Sequence, residues 1–325
     1  MHAFEWADAT SVDEAIQLTV KGSAIKAGGV DLVDLMKEHI SQPTRLVNIL
    51  TIPGMDQVSE DEKSLRIGPL VTLAALSENP TVKKSAMCLA EAAGHAATPQ
   101  VRNMATVGGN ILQRPRCWYF RNEQFPCRKK GGEICFAQDG ENQYHAIFHN
   151  SLCAIVHPSA TATALIALGA ELELTAADNK KRTVKVEEFI TPPSADLHRE
   201  NTLADGELIT QIIVPKPSAG TKTFYLKQRE KESFDWPIAE CAVVLEMDGQ
   251  TCKKASVVLG AAAPTPYRAK YAEEALNGKP LNAETAKAAG EASMTGATPM
   301  KNNGYKVPLF KVIVARTILA CAGVQ

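Results

Sequence analysis

One stretch, Ala96 to Cys153, limits most sharply what this chain can fold into. It opens with Ala-Thr-Pro-Gln-Val-Arg-Asn-Met-Ala-Thr-Val-Gly-Gly-Asn-Ile over residues 97–111 and runs on into a polar segment holding Cys117, Cys127, Cys135 and Cys153. Two adjacent glycines, Gly108 and Gly109, permit positive φ and a main-chain approach that a side chain would block. The first half therefore reads as backbone shaped against a ligand. The second half puts four soft ligands on one long loop, where thiolates can hold a metal centre. A dinucleotide-type site followed at once by a metal site points to electron transfer.

The totals set the frame for that site. A length of 325 residues suits two or three domains, and 45% apolar residues supply packed cores rather than disorder. A formal charge of −1 gives no reason to expect nucleic acid or an anionic membrane as partner. The longest apolar stretches, Ala162 to Ala170 and Ile313 to Val324 with its Arg316, fall short of a membrane span. The start, Met1-His2-Ala3-Phe4-Glu5-Trp6, has neither a basic region nor an apolar export run, so a cytoplasmic location is expected. Of eight cysteines, Cys88, Cys241, Cys252 and Cys321 lie mostly among apolar neighbours and read as inert buried thiols. For the other four, metal or redox chemistry is favoured over a disulfide framework.

Along the chain, a short strand precedes a helix capped by Ser11, with Glu14 at its third position. Ala24 to Ala27 reads as a strand ending in Gly28-Gly29-Val30-Asp31, and a helix with Leu32, Leu35 and Met36 on one face follows. Strand, glycine turn and helix together present backbone N–H groups to an anion. The pair is not a Gly-x-Gly-x-x-Gly fingerprint, and on its own a Gly-Gly turn is usually only a turn. Leu46–Ile49 and Ser64–Gly68 are further strands, and one helix is expected from Pro80 to Ala93. A helix from Pro158 to Ala167 precedes strands at 171–174, 183–186 and 208–214. Beyond a linker at 215–222, three antiparallel strands (224–227, 239–245 and 255–260) lead into helices at 267–276, 283–294 and 309–320.

Two motifs carry a resemblance. Ala27-Gly28-Gly29-Val30-Asp31-Leu32 and Ala105-Thr106-Val107-Gly108-Gly109-Asn110-Ile111 resemble the paired FAD loops of the flavoprotein (medium) subunit of the xanthine dehydrogenase or molybdenum hydroxylase family. Asp34-Leu35-Met36-Lys37, Leu65-Arg66-Ile67-Gly68, Tyr225-Leu226-Lys227 and Gly260-Ala261-Ala262-Ala263-Pro264-Thr265-Pro266-Tyr267-Arg268 extend the likeness over essentially the whole chain. It implies an α+β architecture: a vanillyl-alcohol-oxidase-type (PCMH-type) FAD-binding fold in two subdomains, with a C-terminal domain of three-stranded antiparallel sheet and helices. The expected divisions are 1–53, 54–220 with an insertion at about 114–155, and 223–325. The resemblance also implies FAD contacts at Lys26, Ala27, Gly28, Gly29, Val30, Asp31, Leu32, Ala96, Ala97, Ala105, Thr106, Gly108, Gly109, Asn110 and Ile111. Ile209 would pack on the cofactor and Lys227 would stand near the flavin edge; without the family, Lys227 reads as a solvated strand lysine. One departure is visible. Where the family has Pro-Ser-Asp, this chain has Pro158-Ser159-Ala160, so a carboxylate is absent and Ser159 or Thr161 is left to substitute.

From spacing alone, the intervals of nine, seven and seventeen residues between the four cysteines leave zinc, iron–sulfur and plain thiols open. The segment resembles the insertion of 4-hydroxybenzoyl-CoA reductase and periplasmic-type aldehyde oxidoreductases, which implies a [4Fe-4S] cluster on Cys117, Cys127, Cys135 and Cys153. Arg114, Arg116, Arg121, Arg128, Lys129 and Lys130 around it would offset cluster charge, bind a partner or simply be solvated. His145, His149 and His157 read as loop lining rather than ligands, and Trp118, Tyr119 and Phe120 as cover against water.

The function implied is an electron-transfer flavoprotein subunit of a heterotrimer. A molybdopterin-binding large subunit and a [2Fe-2S] small subunit would be its partners, and an external acceptor would take the electrons. Aldehyde oxidation is expected first and a 4-hydroxybenzoyl-CoA reductase second, and export with a signal-bearing partner would make the complex periplasmic. No catalytic residue for the organic substrate is expected here. The rivals are a free-standing FAD reductase of the same fold and an assembly subunit that has lost its cofactors.

Overall fold

The computed structural model describes residues 1–324 apart from Glu232. Three sheets succeed one another along the chain. The first is parallel: β1 (Glu5–Asp8), β2 (Ser23–Lys26) and β3 (Arg45–Asn48) lie in the order β1-β3-β2, joined by α1 (Val12–Leu18) and α2 (Val30–Lys37). Parallel neighbours need such crossovers. Ser11 caps α1 by accepting the Glu14 N–H at 3.1 Å, and the Glu14 carboxylate reaches back to the Thr10 N–H and hydroxyl. The turn between β2 and α2 places Gly29 at φ +76°, a conformation glycine adopts without a Cβ penalty.

The second layer begins with β4 (Val58–Glu60) and β5 (Ser64–Ile67). Helices α3 (Leu73–Glu78), α4 (Pro80–Ser85), α5 (Met87–Gly94), α6 (Pro99–Met104) and α7 (Val107–Ile111) follow. After the cysteine segment come α8 (Ala160–Ala167), β6 (Glu171–Ala176), β7 (Lys180–Lys185), α9 (Val186–Phe189) and β8 (Leu208–Pro215). The five strands form an antiparallel sheet in the order β4-β5-β8-β6-β7. The single helix expected from Pro80 to Ala93 is two. Ala86, fully buried at φ −150°, breaks it, and the Cys88 N–H is capped by the Thr223 hydroxyl at 3.1 Å. Apolar spacing continues through the break, so periodicity gave no sign of it. Val186, expected in a strand, starts α9 instead.

The third layer holds β9 (Thr221–Gln228), β10 (Ala239–Asp248), β11 (Thr251–Gly260), β12 (Tyr267–Arg268), α10 (Lys270–Leu276), β13 (Lys279–Pro280), α11 (Ala283–Ala292) and α12 (Lys306–Ala322). Three long antiparallel strands stand as expected, and two strands of two residues each, β12 and β13, add to β11; they are too short to leave a period in the sequence. Helix α12 starts before Pro308, because a proline in the first turn lacks only an N–H that has no helical acceptor. Alternation splits the sheet between two cores. Cys241, Val243 and Leu245 pack with Phe310, Ile313 and Ile318, whereas Tyr225, Ala242 and Val258 join the core around α8, a helix buried along its whole length.

The segment at about 114–155 has a 3-10 turn, Arg128–Lys130, as its regular element and is held by side chains. On one side Asn303, fully buried, donates to the carbonyls of His145 and Ala146, both at 3.1 Å, and accepts the Met300 N–H. Lys306, also fully buried, donates to the His145 and Ala261 carbonyls, and burial draws its amine down to about 7. Removing the Asn303 amide orphans those buried groups, so Asn303→Ala is expected to lower stability by about 2–4 kcal/mol in denaturant unfolding. No helix among the described residues is long and apolar enough to cross a membrane.

Candidate functional site

A cavity of about 680 Å³ is walled by all three layers. The first sheet contributes Lys26, Ala27, Gly28, Gly29, Val30, Asp31 and Leu32 at the head of α2. The second layer contributes Ala96, Ala97, Ala105, Thr106, Gly108, Gly109 and Asn110, together with Ile209 from β8. The third contributes Lys227 and Glu240. Of the expected residues only Ile111 is elsewhere: its side chain points into the core, 2% exposed, because it lies on the face of α7 that packs inward.

The two glycine pairs do different work. At the head of α2 the first helical bond runs from Val33 N to Gly29 O, which leaves the N–H groups of Val30, Asp31 and Leu32 without helical acceptors. Gly28 is required by contact: a Cβ there would lie 1.8 Å from the Met104 carbonyl oxygen. Gly108 and Gly109, expected to use positive φ in an open turn, are instead inside α7, capped by Thr106. Their N–H groups are already bonded, Gly108 to Pro69 O at 2.9 Å and Gly109 to Thr106 Oγ1 at 3.2 Å. Here glycine supplies space rather than donors. A Cβ on Gly108 would press on Pro69, and one on Gly109 would meet only Thr106 Oγ1 before entering the cavity.

Around this wall the polar groups are ordered. The hydroxyls of Ser159 and Thr161 both donate to Asn110 Oδ1, at 2.7 and 2.6 Å, and Ala160 lines the cavity between them. With no Asp at 160, the two hydroxyls fix Asn110. Ala97 stands at φ +48°, unusual for a non-glycine residue, and Arg102 holds that turn by donating to the Ala97 and Ala96 carbonyls. Lys227 is half-buried rather than free in solvent: it donates to the His95 carbonyl at 3.0 Å, and burial lowers its pKa. Glu240, its partner across the strand pair and 2% exposed, was not anticipated. Burial raises its carboxyl pKa, and a Cβ on neighbouring Gly260 would strike its oxygen at 2.0 Å. A lone acid inside the apolar run Ala239-Glu240-Cys241-Ala242-Val243-Val244 was the signal that could have found it. Phe234 and Trp236 also line the cavity, and Arg116 stacks on Trp236 at 4.6 Å.

Among the four cysteines of the segment, Cys135 is near Cys153, and Cys117 is near Cys135 and Cys127. Interaction between Cys135 and Cys153 lowers the Cys135 pKa and raises that of Cys153. Cys117, raised to about 12 by burial, feels both Cys135 and Cys127 and touches His145 Nε2 at 3.2 Å. Cys127 packs with Leu35 of α2 and Phe120, with Phe136 against them, and Trp118, Tyr119, Phe125 and Phe136 contact one another, mostly edge to face. Among the described residues no three His, Cys, Asp or Glu side chains stand close enough to hold a single metal ion. His157 is buried and bonded by the Ser159 N–H, and His149 edges onto Tyr267. Most of the basic residues have acidic or carbonyl partners: Lys129 and Arg114 pair with Glu200, and Arg116 and Arg121 with Asp31 and Asp34. Cys88 and Cys241 are buried, with pKa values pushed up to about 12.

Comparison with known proteins agrees with this layout. Residues 2–217 match the FAD binding domain in molybdopterin dehydrogenase, and residues 224–321 the CO dehydrogenase flavoprotein C-terminal domain. The aldehyde oxidoreductase FAD-binding subunit PaoB of Escherichia coli (strain K12) is 34% identical over 309 residues, covering 94% of this chain and 93% of that one. The carbon monoxide dehydrogenase medium chain of Hydrogenophaga pseudoflava is 30% identical over 324 residues, covering 98% and 96%. Among solved structures, the carbon monoxide dehydrogenase from Hydrogenophaga pseudoflava that lacks the Mo-pyranopterin moiety superposes with a TM-score of 0.77 at 28% identity, over 99% of this chain and 98% of that one.

Proposed function

Because the chain belongs to the FAD-binding subunits of the xanthine dehydrogenase (molybdenum hydroxylase) family, as an oxidoreductase component, we propose that it carries FAD in the three-walled cavity and relays electrons for a complex that oxidises aldehydes. The observation that carries this is one cavity bounded by both glycine pairs, Ile209 and Lys227. Residues Lys26 to Leu32 would hold the pyrophosphate, since unbonded N–H groups at a helix start suit an anion. Ala96, Ala97, Ala105, Thr106, Gly108, Gly109 and Asn110 would flank the dinucleotide, with Ile209 against it; Ile111 would support that wall from behind. Lys227 would stand at the ring edge, where a cation raises the cofactor's potential. Bound FAD supplies the exchange between one- and two-electron chemistry. The proposed divisions are 1–53, 54–220 and 223–325; the three sheets follow one another in the same order, with β9 beginning at Thr221, two residues before the third division.

Cys117, Cys127, Cys135 and Cys153 are proposed as ligands of a [4Fe-4S] cluster. Four thiolates around one zinc would stand about 3.8 Å apart, given Zn–S bonds near 2.3 Å. The reading rests on four cysteines within one segment whose irregular intervals fit no paired zinc pattern, with Phe120 and Phe136 packed beside Cys127 and Cys117. The proposed partners are a molybdopterin-binding large subunit and a [2Fe-2S] small subunit, with an external acceptor. The 34% relative favours aldehydes as substrate, and a 4-hydroxybenzoyl-CoA reductase-type complex is the second reading, motivated by the cysteine insertion. A cytoplasmic location is proposed, with export on a partner's signal as the alternative.

The test is anaerobic addition of an aldehyde to the chain alone and to the chain with its two partners. The flavin absorption is expected to bleach only with the partners. Bleaching in the lone chain would favour a free-standing flavoenzyme instead.

A further inference from the structure

We propose that Asp31 and Arg121 form a latch through which the cysteine-bearing segment sets the position of the cofactor turn, making Arg121 a positioning residue for FAD. The proposal rests on reading the cavity as the FAD site and names a determinant within it.

Asp31 is the second residue of α2, and its residue lines the cavity at the turn where the helix N–H groups are unbonded. Its carboxylate is directed to the cysteine-bearing segment. Oδ2 accepts the Arg114 N–H at 2.9 Å, and Oδ1 accepts Arg121 Nη2 at 2.7 Å. Arg116 Nη2 is ion-paired to the same Oδ1 at 2.7 Å. One turn along α2, Asp34 Oδ2 takes Arg121 Nη1 at 3.0 Å. The rest of the Arg121 fork donates inward, from Nε to Pro115 O and from Nη2 to Arg114 O, both at 2.8 Å. A planar guanidinium with each nitrogen committed, its side chain 11% exposed, is a rigid strut rather than a solvated charge.

The strut joins two parts with different anchors. The far side of the segment is bolted to the third layer through Asn303 and Lys306. The near side holds the head of α2 through Asp31. A second consequence is electrostatic. Unneutralised, a carboxylate on the second helical residue would set a negative charge beside the phosphate position; the Arg116 and Arg121 guanidinium groups neutralise it. Position and charge give opposite signs for one variant. If the latch positions the turn, Asp31→Asn weakens FAD binding, because the ion pairs are lost. If Asp31 merely needed screening, the same variant would strengthen it.

The experiment titrates FAD into the flavin-free full chain by fluorescence, for wild type, Arg121→Ala, Arg121→Lys, Asp31→Asn and the Asp31→Asn/Arg121→Ala double variant, with melting curves for each. Arg121→Ala and Asp31→Asn are each expected to raise the dissociation constant at least about tenfold, the scale of a lost charge-assisted hydrogen bond. Arg121→Lys should be intermediate, and the double variant no worse than the weaker single one. If Arg121→Ala does not fold, Asp31→Asn and Arg121→Lys decide. Wild-type affinity in those variants, tighter binding by Asp31→Asn, or additive losses would overturn the latch. A wild-type chain that binds no FAD would instead overturn the assignment of the cavity.

Discussion

Gly28→Ala is expected to collapse FAD binding and lower stability together. The added Cβ would start 1.8 Å from the Met104 carbonyl oxygen, where ordinary contact begins near 3.4 Å, and both sides of that contact are backbone. The strain therefore cannot be relieved by turning a side chain. The head of α2 must move away from the end of α6, opening the wall that the two glycine-bearing stretches build together. Overpacking of this kind costs about 1–3 kcal/mol, so the dissociation constant should rise by roughly 10–100-fold and the melting temperature should fall. Gly109→Ala supplies the contrast. Gly109 is inside α7 at helical φ, where alanine is favoured over glycine by about 0.5–1 kcal/mol. Its Cβ would occupy cavity space, so the melting temperature should hold or rise while FAD affinity falls. Equal behaviour of the two variants would contradict the different roles assigned to the pairs.

On the proposed assignment of a [4Fe-4S] cluster to the four cysteines, Cys127→Ser and Cys135→Ser are expected to abolish iron binding and its broad absorption while flavin bands persist at saturating FAD. Serine keeps the size but not the soft thiolate that iron prefers. Cys127 sits beside Leu35 and Phe120 in a small core, so its change should also loosen the segment's packing. Cys88→Ser, in the core of the second layer, should leave the iron untouched. Iron retained in both loop variants would mean that other residues hold it.

Much of this layout was legible in the residues. The Ser11 cap, the Gly28-Gly29 turn and the long strands β9 to β11 all follow from local chemistry, since caps, glycine turns and alternation act over a few residues. Local chemistry could not reveal the break at Ala86, because it is imposed by Thr223 from another sheet. The helical state of Gly108 and Gly109 was half legible: Thr106 is a local N-cap that accepts the Gly109 N–H, whereas the Gly108 N–H is satisfied by Pro69 from another stretch of chain. The arginines of the insertion read as partner-binding or solvated for the same reason. Their acceptors, Asp31 and Asp34, lie more than eighty residues earlier in the chain. Glu240 did leave a signal, a single acid in an apolar strand, but only the fold brings that position to the cavity wall beside Lys227.

The most direct measurement is a titration of FAD into the flavin-free chain without partners, followed by flavin fluorescence and absorption. Saturation at one equivalent, with weaker binding by Gly109→Ala at a melting temperature no lower than wild type, is the expected result. No saturable binding by the folded chain, or binding indifferent to Gly28→Ala and Gly109→Ala alike, would contradict the placement of FAD between the two glycine pairs.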